Sequence, residues 1–126
     1  MKKMLIVEDD DLSLSVMQRL FRDNYEIFVA SSAEEFFENY KSNFFDIIIM
    51  DISLKGGKSG LDIIKEIKAD KLYSGTPILC LTAHAHKQIK LNAIEAGTDY
   101  FLTKPVSNMV LMETVESLIN TAVKEI

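Results

Sequence analysis

Long apolar runs are missing from this sequence. Its apolar stretches last only a few residues before a charge or a turn residue interrupts them, so none can span a bilayer. Cysteine is nearly missing as well. Cys80 stands alone, which excludes an internal disulfide and fits a reducing, cytoplasmic setting. Inside an apolar, strand-like run it reads as a small buried hydrophobe. There is no basic cluster: 14 Lys and Arg stand against 19 Asp and Glu, for a net charge of −5. That gives no electrostatic footprint for nucleic acid. The N-terminal Met1-Lys2-Lys3-Met4-Leu5-Ile6-Val7 is not a secretory signal. Its apolar part is too short and runs straight into Glu8-Asp9-Asp10. Repeats, linkers and low-complexity segments are also lacking.

What is present suits one folded domain. The 126 residues are 48% apolar and 26% charged, enough for one core and too few for two. Lys3 to Val7 reads as a first strand. Asp10 or Asp11 can cap the helix that follows, in which Leu12, Val16, Met17 and Leu20 recur at helical spacing up to Arg22. Tyr25 to Ala30 is a second strand. Ser31-Ser32 with Glu35 forms a capping-box pattern, opening a helix expected to run to about Asn43. Phe45 to Met50 is a third strand, apolar throughout and ending on Asp51. The loop 52–60 carries three glycines, which mark it as irregular, and Leu61, Ile64, Ile67 and Lys68 continue as a helix. Ile78 to Thr82 is a fourth strand after the Gly75-Thr76-Pro77 turn. His86 to Ala96 is a helix stopped by Gly97. Tyr100 to Thr103 is a fifth strand. A last helix runs from about Ser107 to Val123, with Val110, Leu111, Val115, Leu118 and Ala122 as its expected buried stripe.

Buried strands alternating with helices imply an α/β fold, a parallel sheet covered on both faces. With right-handed crossovers, the leading topology is a doubly wound, flavodoxin-like (βα)5 sheet in strand order 2-1-3-4-5. The chain ends with its fifth helix, so the expectation is a single domain over 1–126 with no output domain.

In that order the ends of strands 1, 3, 4 and 5 are neighbours, and they carry Glu8-Asp9, Asp51, Thr82 and Lys104. Singly, each has an ordinary reading as a turn, cap or surface residue. Together they bring acids, a hydroxyl and a cation to the edge where open α/β sheets bind ligands. Carboxylates packed together repel unless a cation or protons intervene. Oxygen donors without His or Cys favour Mg²⁺ over zinc. A lysine and a hydroxyl beside such an ion are equipment for phosphoryl transfer, with Asp51 as the nucleophile.

Leu5-Ile6-Val7-Glu8-Asp9-Asp10, Asp46-Ile47-Ile48-Ile49-Met50-Asp51-Ile52, Leu81-Thr82-Ala83, Ala96-Gly97 and Lys104-Pro105 together resemble the receiver domain of bacterial two-component response regulators, of the single-domain, chemotaxis-regulator-like kind. The resemblance covers essentially the whole chain. It implies that Asp51 accepts a phosphoryl group and that Asp9 binds Mg²⁺ directly, with Glu8 acting largely through water. The Ser53 backbone carbonyl would complete the metal's protein ligands. Thr82 and Lys104 would be the switch hydroxyl and the phosphate-pairing lysine, the Ala83 amide would face the phosphoryl group, and Phe101 would be the switch aromatic. The Lys104-Pro105 bond is similar to one that is cis in the family. Lys55 stands where a proline is frequent, the loop 52–60 is one residue longer than in many receivers, and Phe101 lacks a tyrosine's hydroxyl.

The implied donor is a histidine kinase or a histidine phosphotransfer protein, and Ser53 and His84 would tune the phosphoryl lifetime. Phosphorylation would change the surface of the fourth helix, fifth strand and fifth helix, where Leu91, Ile94, Met109 and Met112 could meet a target or a second copy. No direct nucleic-acid contact, membrane insertion or turnover enzymology is expected. Two rivals fit poorly. A haloacid-dehalogenase-type phosphatase wants a second Asp where Ser53 stands. An FMN binder wants a phosphate-cradling loop where Glu8, Asp9 and Asp10 stand. The remaining alternatives are a phosphorylation-independent docking module and the receiver portion of a larger regulator or hybrid kinase.

Overall fold

The computed structural model describes residues 1–40, 43–52, 60–73, 75–83 and 87–124, the side chains of 122–124 excepted. In chain order the elements are β1 (Lys2–Val7), α1 (Asp11–Phe21), β2 (Tyr25–Ala30), α2 (Ala33–Asn39), β3 (Ile47–Met50), α3 (Gly60–Ala69), β4 (Ile78–Thr82), α4 (Lys87–Ala96), β5 (Tyr100–Thr103) and α5 (Asn108–Lys124). The strands are parallel and lie in the order β2-β1-β3-β4-β5, as the alternation of segments predicts.

Because both faces are covered, the central strands are apolar at every position. Side chains still alternate between faces. Leu5, Val7, Ile48 and Met50 point towards α2 and α3, onto Phe36, Ile63, Ile64 and Ile67. Met4, Ile6, Ile47, Ile49, Leu79 and Leu81 point the other way, onto Met17 and Phe21 of α1 and Leu111, Val115 and Ile119 of α5. Each such side chain contributes about 1.5–3 kcal/mol on burial, which fixes the register of the three middle strands and therefore of their ends.

The helix starts are set locally. Asp10 Oδ2 accepts from the Ser13 amide at 2.8 Å, capping α1. Ser32 Oγ accepts from the Glu35 amide at 3.1 Å, and Glu35 Oε2 accepts from the Ser31 amide and hydroxyl at 3.1 and 2.7 Å. The expected capping box thus forms, with its return arm one residue earlier than usual.

Two expectations need correction, the end of α2 and the buried stripe of α5. Helix α2 stops at Asn39 and is capped by Tyr40, short of Asn43. The Tyr40 carbonyl accepts instead from the Tyr73 hydroxyl at 2.6 Å and the Asn43 amide at 2.9 Å. In α5, Val110 is exposed and Ile119 is buried. The stripe follows Leu111, Val115 and Ile119 at steps of four, and Val110 lies about 100° around the helix from Leu111. Ala122 falls outside the described side chains. In α1, Leu12 and Val16 are exposed while Met17 and Phe21 are buried. Leu12, Val16 and Leu20 instead border a groove of about 310 Å³ with Pro105, Val106 and Leu111.

Candidate functional site

The sheet continues slightly beyond its strands at the edge where they end. The Glu8 amide donates to the Ala30 carbonyl and the Asp51 amide to the Val7 carbonyl, both at 3.0 Å. These bonds hold Glu8 and Asp51 side by side on backbone that cannot drift. The Lys104 amide donates to the Thr82 carbonyl at 2.8 Å, which fixes the chain leaving β5 against the end of β4. The following Lys104-Pro105 peptide is cis, as expected.

The side chains converge. Carboxylate oxygens of Glu8, Asp9 and Asp51 lie within 4.8 Å of one another. Lys104 Nζ donates to Glu8 Oε1 and stands 3.6 Å from Asp51 Oδ2. Lys104 follows β5 and Glu8 follows β1, and their two side chains meet over the strand ends between them. Glu8 and Asp51 are buried, and Asp9 is half-buried. Glu8 Oε2 is buried with no hydrogen-bond partner among the described residues, although an unsatisfied buried carboxylate oxygen is costly.

The electrostatics follow. Burial first, then the neighbouring Asp51, push the Glu8 carboxyl up to about 7, against the pull of Lys104. Burial works against the Lys104 ammonium, yet pairing with Glu8 and Asp51 outweighs it and raises its pKa. Burial and then Asp51 push the Cys80 thiol up to about 12, so it stays protonated and inert, as its strand position suggests.

Three carboxylates gathered beside the Lys104 ammonium repel one another when ionised, which favours a further cation among them. The donors are all oxygen, and one of them is orphaned. The residues therefore fit Mg²⁺, which takes few protein carboxylates and keeps further positions for phosphate oxygens.

The structure thus brings Glu8, Asp9, Asp51 and Lys104 together. Thr82 is fully buried at the end of β4, and Ala83 is exposed just beyond it. Phe101 is half-buried against Ile52, Cys80 and Ala93. Ser53, His84 and residues 53–59 of the glycine-rich loop lie outside the described residues. Sequence reasoning missed the direct Lys104–Glu8 pair, for which the only signal is the reach of a lysine stem. It also missed the apolar groove beside Lys104, signalled by a second apolar line, Leu12-Val16-Leu20, beside the buried one. No helix among the described residues is long and apolar enough to cross a membrane.

A doubly wound sheet with this acid cluster and lysine at its ligand edge defines a class, and the match is direct. The response regulator receiver domain model matches residues 4–116, and the chain belongs to that family. It is 31% identical over 126 residues to the polar-differentiation response regulator DivK of Brucella ovis, covering 96% of this chain and 98% of DivK. It is 30% identical over 118 residues to the regulatory protein VanRB of Enterococcus faecalis, covering 93% of this chain and 52% of VanRB. It therefore spans about half the length of that regulator and 13% of the Pseudomonas syringae sensor protein GacS, which it also resembles. The receiver domain of the sensor histidine kinase PA1611 from Pseudomonas aeruginosa matches with a TM-score of 0.85 at 25% identity, covering 94% of this chain and 98% of that one. That crystal structure has magnesium coordinated in its active-site cleft.

Proposed function

We propose that this chain receives a phosphoryl group on Asp51 from the phosphohistidine of a histidine kinase or histidine phosphotransfer protein. The observation carrying this reading is the convergence of the Glu8, Asp9 and Asp51 carboxylates on one another and on Lys104, with Glu8 Oε2 unpartnered among the described residues. An Asp51 carboxylate oxygen forms a bond to phosphorus as the bond from phosphorus to the imidazole nitrogen breaks, and the imidazole keeps the electron pair. Lys104 lies close enough to Asp51 Oδ2, 3.6 Å, to turn from Glu8 and pair with the arriving phosphoryl oxygens. Glu8, Asp9, Asp51 and the Ser53 carbonyl would hold Mg²⁺, which would supply charge neutralisation for the transferring group. The Ala83 amide gives a further donor, and water later hydrolyses the acyl phosphate to the carboxylate and inorganic phosphate. Ser53 and His84 set how fast. The chain is a phospho-acceptor that assists its own loading and unloading, without other turnover.

The groove lined by Leu12, Val16, Leu20, Pro105 and Val106 opens beside Lys104 and offers an apolar seat for the donor's helix. Readout runs through Thr82 and Phe101 to α4, β5 and α5. Leu91, Ile94, Tyr100 and Met109 are exposed there, and they serve a protein target or a second copy, whereas Met112 lines a cavity with Phe21, Asn24 and Tyr25 instead. The setting is the cytoplasm, where such donors act. The length of VanRB favours a second reading, in which the same site works inside a longer regulator or hybrid kinase.

Incubation with Mg²⁺ and acetyl phosphate, followed by intact mass, tests the reading. One added phosphoryl group is expected in the wild type, requiring Mg²⁺ and absent from Asp51→Ala. Absence of any Mg²⁺-dependent adduct in the wild type would leave only a phosphorylation-independent docking module.

A further inference from the structure

The chain leaves the sheet at Asp51-Ile52 and returns at Gly60, the first residue of α3, where the Gly60 amide donates to the Ile52 carbonyl at 3.0 Å. The approach is closer than a side chain allows. A Cβ at Gly60 would lie 2.2 Å from the Asp51 carbonyl oxygen, 2.7 Å from Ile52 Cα and 2.9 Å from the Asp51 carbonyl carbon. All three are backbone atoms, so no rotamer change relieves the overlap. Gly60 does not have the positive φ that favours glycine. Alanine's own backbone would be unstrained there, and at a helix start it is the better helix former. What forbids a side chain at position 60 is the Asp51 peptide itself.

That peptide has little freedom on its other side. The Asp51 amide is tied to Val7, and Ile52 is buried with Cys80 and Ala93. A Cβ at position 60 must therefore displace the Asp51 carbonyl, and with it the carboxylate now set within 4.8 Å of the Glu8 and Asp9 oxygens. We propose that Gly60 is a positioning residue: its missing side chain sets the Asp51 backbone so that the Asp51 carboxylate meets Glu8, Asp9 and Lys104 in register. This rests on the reading of Asp51 as the phosphoryl acceptor.

Two other glycines supply controls. A Cβ at Gly75 would meet nothing within 4 Å. Gly97 has a φ of +114° and a Cβ there would meet Lys68 Cγ at 2.8 Å, a strain remote from the acids. Alanine variants at all three positions are compared by urea unfolding, by Mg²⁺ titration followed through amide NMR shifts, and by adduct formation with acetyl phosphate. Gly60→Ala is expected to bind Mg²⁺ about 10–100-fold more weakly and to form adduct about 100-fold more slowly. Its Asp51 and Ile52 amides are displaced even before Mg²⁺ is added. Gly97→Ala loses stability but keeps the wild-type Mg²⁺ midpoint, and Gly75→Ala changes neither. Gly60→Ala with the wild-type midpoint and rate overturns the proposal, as does a deficit no larger than that of Gly97→Ala at equal stability. A measurement needing no variant guards against misfolding. In the wild type the Gly60 amide must move with Mg²⁺ at the same midpoint as the Asp51 amide, and a Gly60 amide that ignores Mg²⁺ also overturns it. A wild type that forms no adduct would remove the acceptor reading, while displaced metal-free amides in Gly60→Ala would still support the positioning.

Discussion

Each end of the sheet carries a lysine among aspartates or glutamates, and the two are built in opposite ways. Where β4 begins, Lys68 Nζ donates to the Thr76 carbonyl at 2.8 Å and to Asp99 Oδ2 at 2.9 Å. The same Asp99 oxygen accepts from the Ile78 amide at 2.7 Å, and the Thr98 hydroxyl donates to the Ile78 and Tyr100 carbonyls at 3.0 Å. Nearby, Asp46 Oδ2 accepts from the Lys3 amide at 2.7 Å. Every one of these side chains bonds the backbone at the start of a strand or just before it. Where the strands end, Lys104 faces Glu8 and Asp51, and a buried Glu8 oxygen is left without a partner among the described residues. One end uses its charges to hold the fold. The other leaves a buried carboxylate oxygen unsatisfied at the expense of stability.

The sharpest break in this comparison is Glu8→Gln. The folded metal-free protein holds the Glu8 proton up to about pH 7, whereas the ordinary value is 4.5. Between those values the fold binds a proton that the unfolded chain has released, so this group's contribution to stability falls as pH rises through that window. Above it, the loss is on the order of 3 kcal/mol. Glutamine carries no charge and removes the slope. Urea unfolding without metal from pH 4.5 to 8 should therefore show the variant gaining on the wild type towards alkaline pH. Mg²⁺ should then restore the wild type far more than the variant. Parallel pH curves for the two proteins would show that the acid edge is not strained as described.

Asp99→Ala probes the quiet end. The Ile78 amide loses its acceptor and Lys68 loses its carboxylate. The ion pair matters little because Asp99 is 40% exposed and solvent screens it. The unpaired amide dominates, at about 1–3 kcal/mol. Urea unfolding measures that loss, and the Mg²⁺ midpoint should stay where it is in the wild type. A shifted midpoint would mean that the two ends are not independent.

The same contrast governs what could be read from the sequence. Asp51, Glu8, Thr82 and Lys104 are legible because each follows an apolar strand, and the strand order follows from alternation and handedness. Asp46 and Asp99 are also carboxylates and equally close to strands, but they precede them. In sequence they look like turn residues, because nothing local tells which amide across the sheet each will accept from. The phase of α5 fails for a related reason. Val110 and Leu111 are both apolar, and only the position of α5 over Ile49 and Leu81 decides which of them turns inward. The exposure of Leu12 and Val16 is likewise set by where Pro105 and Val106 fall, some 90 residues away. Gly60 is visible as a glycine, but its closeness to the Asp51 peptide is a contact with no local signature in sequence.

The smallest effect is expected from Tyr73→Phe, at the same quiet end. The Tyr73 hydroxyl donates to the Tyr40 carbonyl at 2.6 Å, closing the turn after α2. Phenylalanine keeps the ring, and with it the packing against Phe36 at 6.2 Å between centroids. The Tyr40 carbonyl keeps its bond from the Asn43 amide, so the acceptor is not orphaned. The loss should then be that of one neutral hydrogen bond, about 0.5–1.5 kcal/mol, and below that of Asp99→Ala. Burial, then Asp70, raise the Tyr73 pKa, so the donor stays neutral at ordinary pH. The urea-derived difference from wild type should therefore be equal at pH 6 and pH 8, where the Glu8→Gln difference changes. A Tyr73→Phe loss exceeding that of Asp99→Ala would show that the α2 turn depends on its tertiary contact more than on its own backbone bond.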